Sequence, residues 1–86
     1  MADGSKQIVI AQRGWVFVGD VSLDGDDVTI NQAQCIRRWG TTKGLGEIAA
    51  NGPTKSTVLD DMGTVRLHVL SVVASIDCEA GKWPAR

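Results

Sequence analysis

Two runs of strand-forming residues, Trp15-Val16-Phe17-Val18-Gly19-Asp20-Val21 and Asp27-Val28-Thr29-Ile30-Asn31, flank the short segment Leu23-Asp24-Gly25-Asp26. Asp-Gly between such runs is a strong hairpin signal, because glycine supplies the positive φ that a tight turn between twisted strands demands. The two runs therefore pair antiparallel. In the second, Val28 and Ile30 point to one side and Thr29 and Asn31 to the other.

The rest of the chain adds strands around this pair. Gln7-Ile8-Val9-Ile10-Ala11-Gln12 is apolar on both faces, so both faces must be covered, and Arg13-Gly14 turns it into the Trp15 strand. Asn31-Gln32 is expected to be a bend or bulge, after which Ala33 to Trp39 continues as strand. From Lys43 to Asn51 the period changes: Leu45, Ile48 and Ala49 stand at i, i+3 and i+4, one face of a short helix over 43–51. Asn51-Gly52-Pro53 stops it, with Gly52 at C′. A brief strand at Thr57 to Leu59, a turn at Asp60-Asp61-Met62-Gly63, a strand at Thr64 to His68, a tight turn at Val69 to Ser71 and a last strand at Val72 to Ile76 follow. Trp15 and Phe17 share a strand face, as alternate residues do, and are expected in the core.

These elements predict a mainly β domain with one short helix: a small, strongly bent antiparallel sheet or an SH3-like or Sm-like barrel. A small α+β sheet carrying one packed helix is the competing architecture. The domain is expected over 7–77, with a loose tail at 1–6 and a C-terminal tail at 78–86 in which Trp83 is either docked or an exposed contact residue. At 86 residues such a domain buries only about 60% of its unfolded surface, so self-association into a homo-oligomer is expected, and open sheet edges would provide for it.

With 43% hydrophobic and 22% charged residues the chain has an ordinary globular composition, and its net charge of −1 argues against coating duplex nucleic acid. Two cysteines, Cys35 and Cys78, and one histidine are too few for a zinc site. No cofactor or metal is expected. Met1 to Lys6 is polar with no apolar run after it, so neither a secretory leader nor a membrane span is expected, and both cysteines are expected as thiols.

Chemistry concentrates in Ile36 to Glu47. Arg37, Arg38 and Lys43 are three of the nine basic residues, and they surround Trp39. Gly40 and Gly44 permit positive φ, and Thr41 or Thr42 can N-cap the helix. The resulting reading is an anion site formed by Arg37, Arg38, Trp39, Thr41, Thr42, Lys43 and Gly44, with an arginine forking onto phosphate or carboxylate and the indole stacking. The two arginines are adjacent on a strand and should face opposite ways, which opposes a simple clamp. The bland alternative is a turn into a helix with solvated or paired arginines. The run is not a Walker A loop, since the lysine precedes the second glycine and the helix is short. His68 beside Asp60 and Asp61 lacks a positioned partner for acid–base work, Ser71 and Ser75 lack a nucleophile elbow, and Asp24, Asp26 and Asp27 lack calcium-loop spacing. An enzyme is not expected.

The segments Arg-Gly-Trp-Val-Phe-Val-Gly-Asp at 13–20, Ala-Gln-Cys-Ile-Arg-Arg-Trp-Gly at 33–40 and Leu-Gly-Glu-Ile-Ala-Ala-Asn-Gly at 45–52 resemble a family of small phage and prophage proteins of unknown function. The likeness spans roughly Gln7 to Ile76. It implies a phage accessory protein in the host bacterial cytoplasm and carries no established activity or site. By analogy with small phage proteins that counter host defences, the leading expectation is a non-enzymatic binder that sequesters an anionic nucleotide-type signal. The alternatives are a protein–protein inhibitor of a host defence protein, a phage structural module, and a single-stranded nucleic-acid binder using Arg37, Arg38, Trp39 and Lys43. The nucleic-acid motifs of the Sm-like family are not legible.

Overall fold

The computed structural model describes residues 5–83. Five strands, β1 (Ser5–Ala11), β2 (Val16–Asp24), β3 (Asp27–Arg38), β4 (Val58–His68) and β5 (Val72–Asp77), form one antiparallel sheet in the order β4-β3-β2-β1-β5. The sheet is bent but unclosed, with β4 and β5 as its two edges. A helix, α1 (Leu45–Asn51), bridges β3 and β4, and three single 3₁₀ turns occupy Gln12–Gly14, Val69–Ser71 and Ala80–Lys82. The mainly β expectation holds, in its open bent-sheet form.

The central hairpin forms as its turn residues dictate. Asp24 pairs with Asp27, leaving Gly25 and Asp26 as the two central residues, and Gly25 takes φ +62° at the first of them. That position needs glycine in turns of the II′ kind.

Period-two alternation then builds two cores, one on each side of the sheet. Ile8, Val16, Val18 and Ile36 face α1 and pack with Leu45, Ile48, Ala49 and Trp83. Val9, Ala11, Phe17, Val21, Val28, Ile30 and Ala33 form the second core, inside the curl of the sheet. The strand apolar on both faces, β1, is the partition between them, as its sequence predicts.

The curl originates where β2 and β3 approach closely. Val18 pairs with Gln34 but Asp20 with Asn31, so β3 carries one extra residue opposite Gly19, and Gln32 takes φ +51° there. This bulge shifts the phase of β3: Val28 and Ile30 before it, and Ala33 and Cys35 after it, all serve the second core. The backbones approach so closely that a Cβ on Gly19 would lie 2.6 Å from Ile30 Cγ2 and 2.8 Å from the Asn31 carbonyl oxygen. Bulges of this sort bend and twist the strand that carries them.

Three expectations need correction. The turn expected at Asp60 to Gly63 does not form, because β4 runs unbroken from Val58 to His68. Asp60 and Asp61 are held against β3 by Arg37 and Gln34, and the extra residue is absorbed as a bulge next to Gly63, at φ +74°. The first turn of the helix is shorter than the 43–51 span, because Gly44 at φ +88° is its N-cap. The N-terminal tail is also shorter than expected: Ser5 and Lys6 belong to β1. Residues 1–4 and 84–86 of the two expected tails lie outside the described residues.

In the segment after β5, the docked alternative for Trp83 is the one that holds. The Cys78 amide donates to the Lys6 carbonyl and the Glu79 amide to the Ala49 carbonyl, which brings Trp83, 7% exposed, onto α1. Emptying such a site of its indole forfeits on the order of 3–5 kcal/mol. Gly52 makes room for it, since a Cβ there would collide with the Lys82 carbonyl.

Cys35 and Cys78 are free and pack against different cores, on opposite sides of the sheet. Burial pushes the Cys78 thiol from its ordinary 9.0 up to about 11. The unfolded thiol therefore ionises first, and the unfolded state binds fewer protons between those two values, so stability falls as pH rises from 9 toward 11. Urea denaturation across that window is expected to show a shallower decline in Cys78→Ala than in the native chain. Gly19→Ala is expected to lower unfolding free energy by about 1–3 kcal/mol, the usual toll of overpacking, measured the same way at neutral pH.

Candidate functional site

The Ile36–Glu47 stretch emerges from the end of β3, crosses over a second loop and enters α1. Its shape follows from hydroxyl groups that sequence reading overlooked. Thr57 Oγ1 donates to the Trp39 carbonyl at 2.7 Å, and Thr54 Oγ1 donates to the Gly40 carbonyl at 2.7 Å. Gly40, at φ +67°, lies so close to the Ser56–Thr57 backbone that any Cβ would strike it. The two loops are thereby locked together.

The helix entrance is filled from within the chain. Glu47 Oε1 accepts from the Thr42 amide at 3.3 Å, the Thr42 hydroxyl at 3.1 Å and the Lys43 amide at 3.1 Å. Thr41 Oγ1 accepts from the Gly44 amide at 3.0 Å. A carboxylate three residues past the N-cap reaching back to the preceding amides follows the logic of a capping box, without the hydroxyl N-cap residue. The donors expected to receive a foreign anion are thus directed at the protein's own carboxylate.

Arg37 is likewise committed. Its Nε donates to Asp60 Oδ2 at 2.8 Å and its Nη2 to Asp60 Oδ1 at 3.4 Å, a forked pair at the surface. Asp60 raises the arginine's pKa further, chiefly through the hydrogen bond. Nearby, Cys35 is pushed above its ordinary value by burial and by Asp60, against a lowering pull from Arg37. Such a thiol stays protonated and is a poor nucleophile at neutral pH.

Three features of the stretch remain available. Arg38 is exposed at the end of β3, Trp39 is 44% exposed, and the Lys43 ammonium is exposed on the helix approach. Neither Arg38 nor the Lys43 side chain has a hydrogen bond or ion pair among the described residues. Lys55, exposed on the loop that Gly40 packs against, adds a third cation to this end of the molecule. The seven expected site residues therefore divide by role. Thr41, Thr42 and Gly44 build the loop, Arg37 ties β3 to β4, and Arg38, Trp39 and Lys43 are presented outward.

Around them the surface is open, with no enclosed cavity among the described residues. Among the described residues no cluster of three metal-type ligands forms. His68 caps the 3₁₀ turn beside it, its Nδ1 accepting from the Leu70 amide at 3.1 Å. Trp15 lies at the surface rather than in the core, its ring stacked on buried Phe17 with centroids 5.6 Å apart.

Glu47, Thr54, Thr57 and Asp60 were the missed residues. Thr54-x-x-Thr57 carried a readable signal, since threonines at this spacing after a helix stop favour hydroxyl-to-backbone turns. Comparison with known proteins adds no identity: no family model and no curated protein matches the chain.

If Glu47 is what closes the helix entrance, Glu47→Ala should cost about 0.5–2 kcal/mol, the range for lost N-terminal caps. Glu47→Gln, which keeps an acceptor oxygen, should recover most of that loss in thermal or urea unfolding.

Proposed function

We propose that this chain is a non-enzymatic recognition module that docks on an acidic protein surface through Trp39 and the cations Arg38, Lys43 and Lys55. The observation that carries the reading is the way Trp39 is held. Its backbone carbonyl and that of Gly40 are fixed by two threonine hydroxyls, and the following turn by Glu47 and Thr41, yet the indole itself stands 44% exposed. A rigid loop that keeps an aromatic in solvent lowers the ordering cost of an encounter, and tryptophan and arginine are the residues that dominate protein interfaces.

The open form of the surface favours an extended partner over a small nucleotide. Small-ligand sites generally enclose most of their ligand, and the amides suited to phosphate are directed at Glu47. Resemblance to small phage proteins supplies the biological setting: a host defence protein in the bacterial cytoplasm, blocked by occupancy rather than by turnover.

Affinity capture from bacterial lysate, followed by calorimetry with the recovered protein, tests the reading. One stoichiometric partner is expected, with affinity reduced tenfold or more by Trp39→Ala and by Arg38→Glu, and weakened by salt. Affinity unchanged from the native chain in both variants overturns it. A nucleotide that binds the native chain tightly and is lost in Arg38→Ala would instead establish signal sequestration, and binding of single strands with a steep salt slope would establish the nucleic-acid reading.

A further inference from the structure

The two edges of the sheet are guarded differently. Along β4 the free edge carries Asp60, Asp61, Arg66 and His68 and is broken by the bulge at Met62, the devices by which sheet proteins resist edge-to-edge pairing. Along β5, no charge occurs from Val72 to Ile76, and Val73, Ala74 and Ser75 are all exposed. The two most exposed large apolar side chains among the described residues, Leu70 at 79% and Val73 at 68%, stand at the start of this strand. Trp15, half exposed, is brought to the same end, because Ala11 both pairs with Val72 and donates its amide to the Trp15 carbonyl. An uncharged sheet edge thus continues into an apolar patch.

We infer that β5 pairs antiparallel with β5 of a second copy of this chain, joining two five-stranded sheets across a two-fold axis. The strand is self-complementary in that arrangement. Centred on Ala74, which faces its own copy, the pairing sets Val73 opposite the partner's Ser75 and Val72 opposite the partner's Ile76, so the two Asp77 carboxylates lie at opposite ends of the seam and do not meet. Each falls toward the end of the other copy's sheet where β1 runs out through Ala11 into Arg13. A second copy also supplies the apolar burial that a domain of this size lacks. The seam is only six residues long, so the dimer belongs to the weak, concentration-dependent class.

Sedimentation velocity of the full chain from about 10 μM to about 1 mM, spanning the range of weak association, tests the inference. The native chain is expected to move from its 9.2 kDa mass toward twice that value. Val73→Lys and Leu70→Lys, both at exposed positions, should weaken association tenfold or more, while Met62→Lys on the other edge leaves it unchanged. Hydrogen exchange needs no variant: amides of Val72 to Asp77 should gain protection as concentration rises, and those of β4 should not. A native chain that stays at single-chain mass throughout overturns the proposal, as does a dimer that Met62→Lys dissolves and Val73→Lys spares, or one indifferent to all three.

Discussion

The close approach of β2 and β3, at Gly19 and Gln32, is the constraint from which the rest of the architecture follows. Without a side chain at position 19 the strands can approach, and with one extra residue opposite it β3 turns sharply enough to curl the sheet. That curl encloses Val21, Val28, Ile30 and Ala33 as an interior on one side. On the other side it leaves Ile8, Val16, Val18 and Ile36 to be covered by something outside the sheet, and α1 with Trp83 is that cover. One backbone irregularity therefore determines both why two cores exist and why a helix must follow β3.

The position of the candidate surface is a consequence of the same demand. A chain leaving β3 must reach the outer face quickly to lay Leu45, Ile48 and Ala49 on the core, and the Trp39 to Gly44 loop makes that passage. Its backbone polar groups are met by Thr54, Thr57, Thr41 and Glu47, so the loop is stiff. Arg38, Trp39 and Lys43 are the side chains that this internal bonding leaves over, and a stiff loop gives them a fixed arrangement.

Much of this was readable in the residues because it depends on local rules. Asp24-Gly25 located the hairpin, the two-sided apolarity of Ile8, Val9 and Ile10 showed that β1 is covered on both faces, and Gly52-Pro53 marked the end of the helix. What escaped depended on partners distant in sequence. Asp60-Asp61-Met62-Gly63 looks like a turn by composition, and becomes strand only because Arg37 and Gln34 stand across from it. Glu47 looks like an ordinary first-turn acid, and only the fold of the preceding loop shows that it fills the space a foreign anion would need. Trp15, expected in the core from its strand pattern, is at the surface, and Trp83, open between a docked and an exposed place, is buried. Period alone cannot tell which end of a sheet the chain returns to cover.

Pairing of β1 with β5 has a consequence for how the protein comes into being. The partition strand precedes the other described elements, and it acquires its outer neighbour only after β2, β3, α1 and β4 have been made; the cover over α1 is completed later still, by Trp83. Long-range closure of this kind slows folding, because loop entropy is lost before contacts repay it. A nascent chain stalled short of Trp83 would hold Ile8 and Ile48 without their lid, so the emergence of no single hairpin closes both cores.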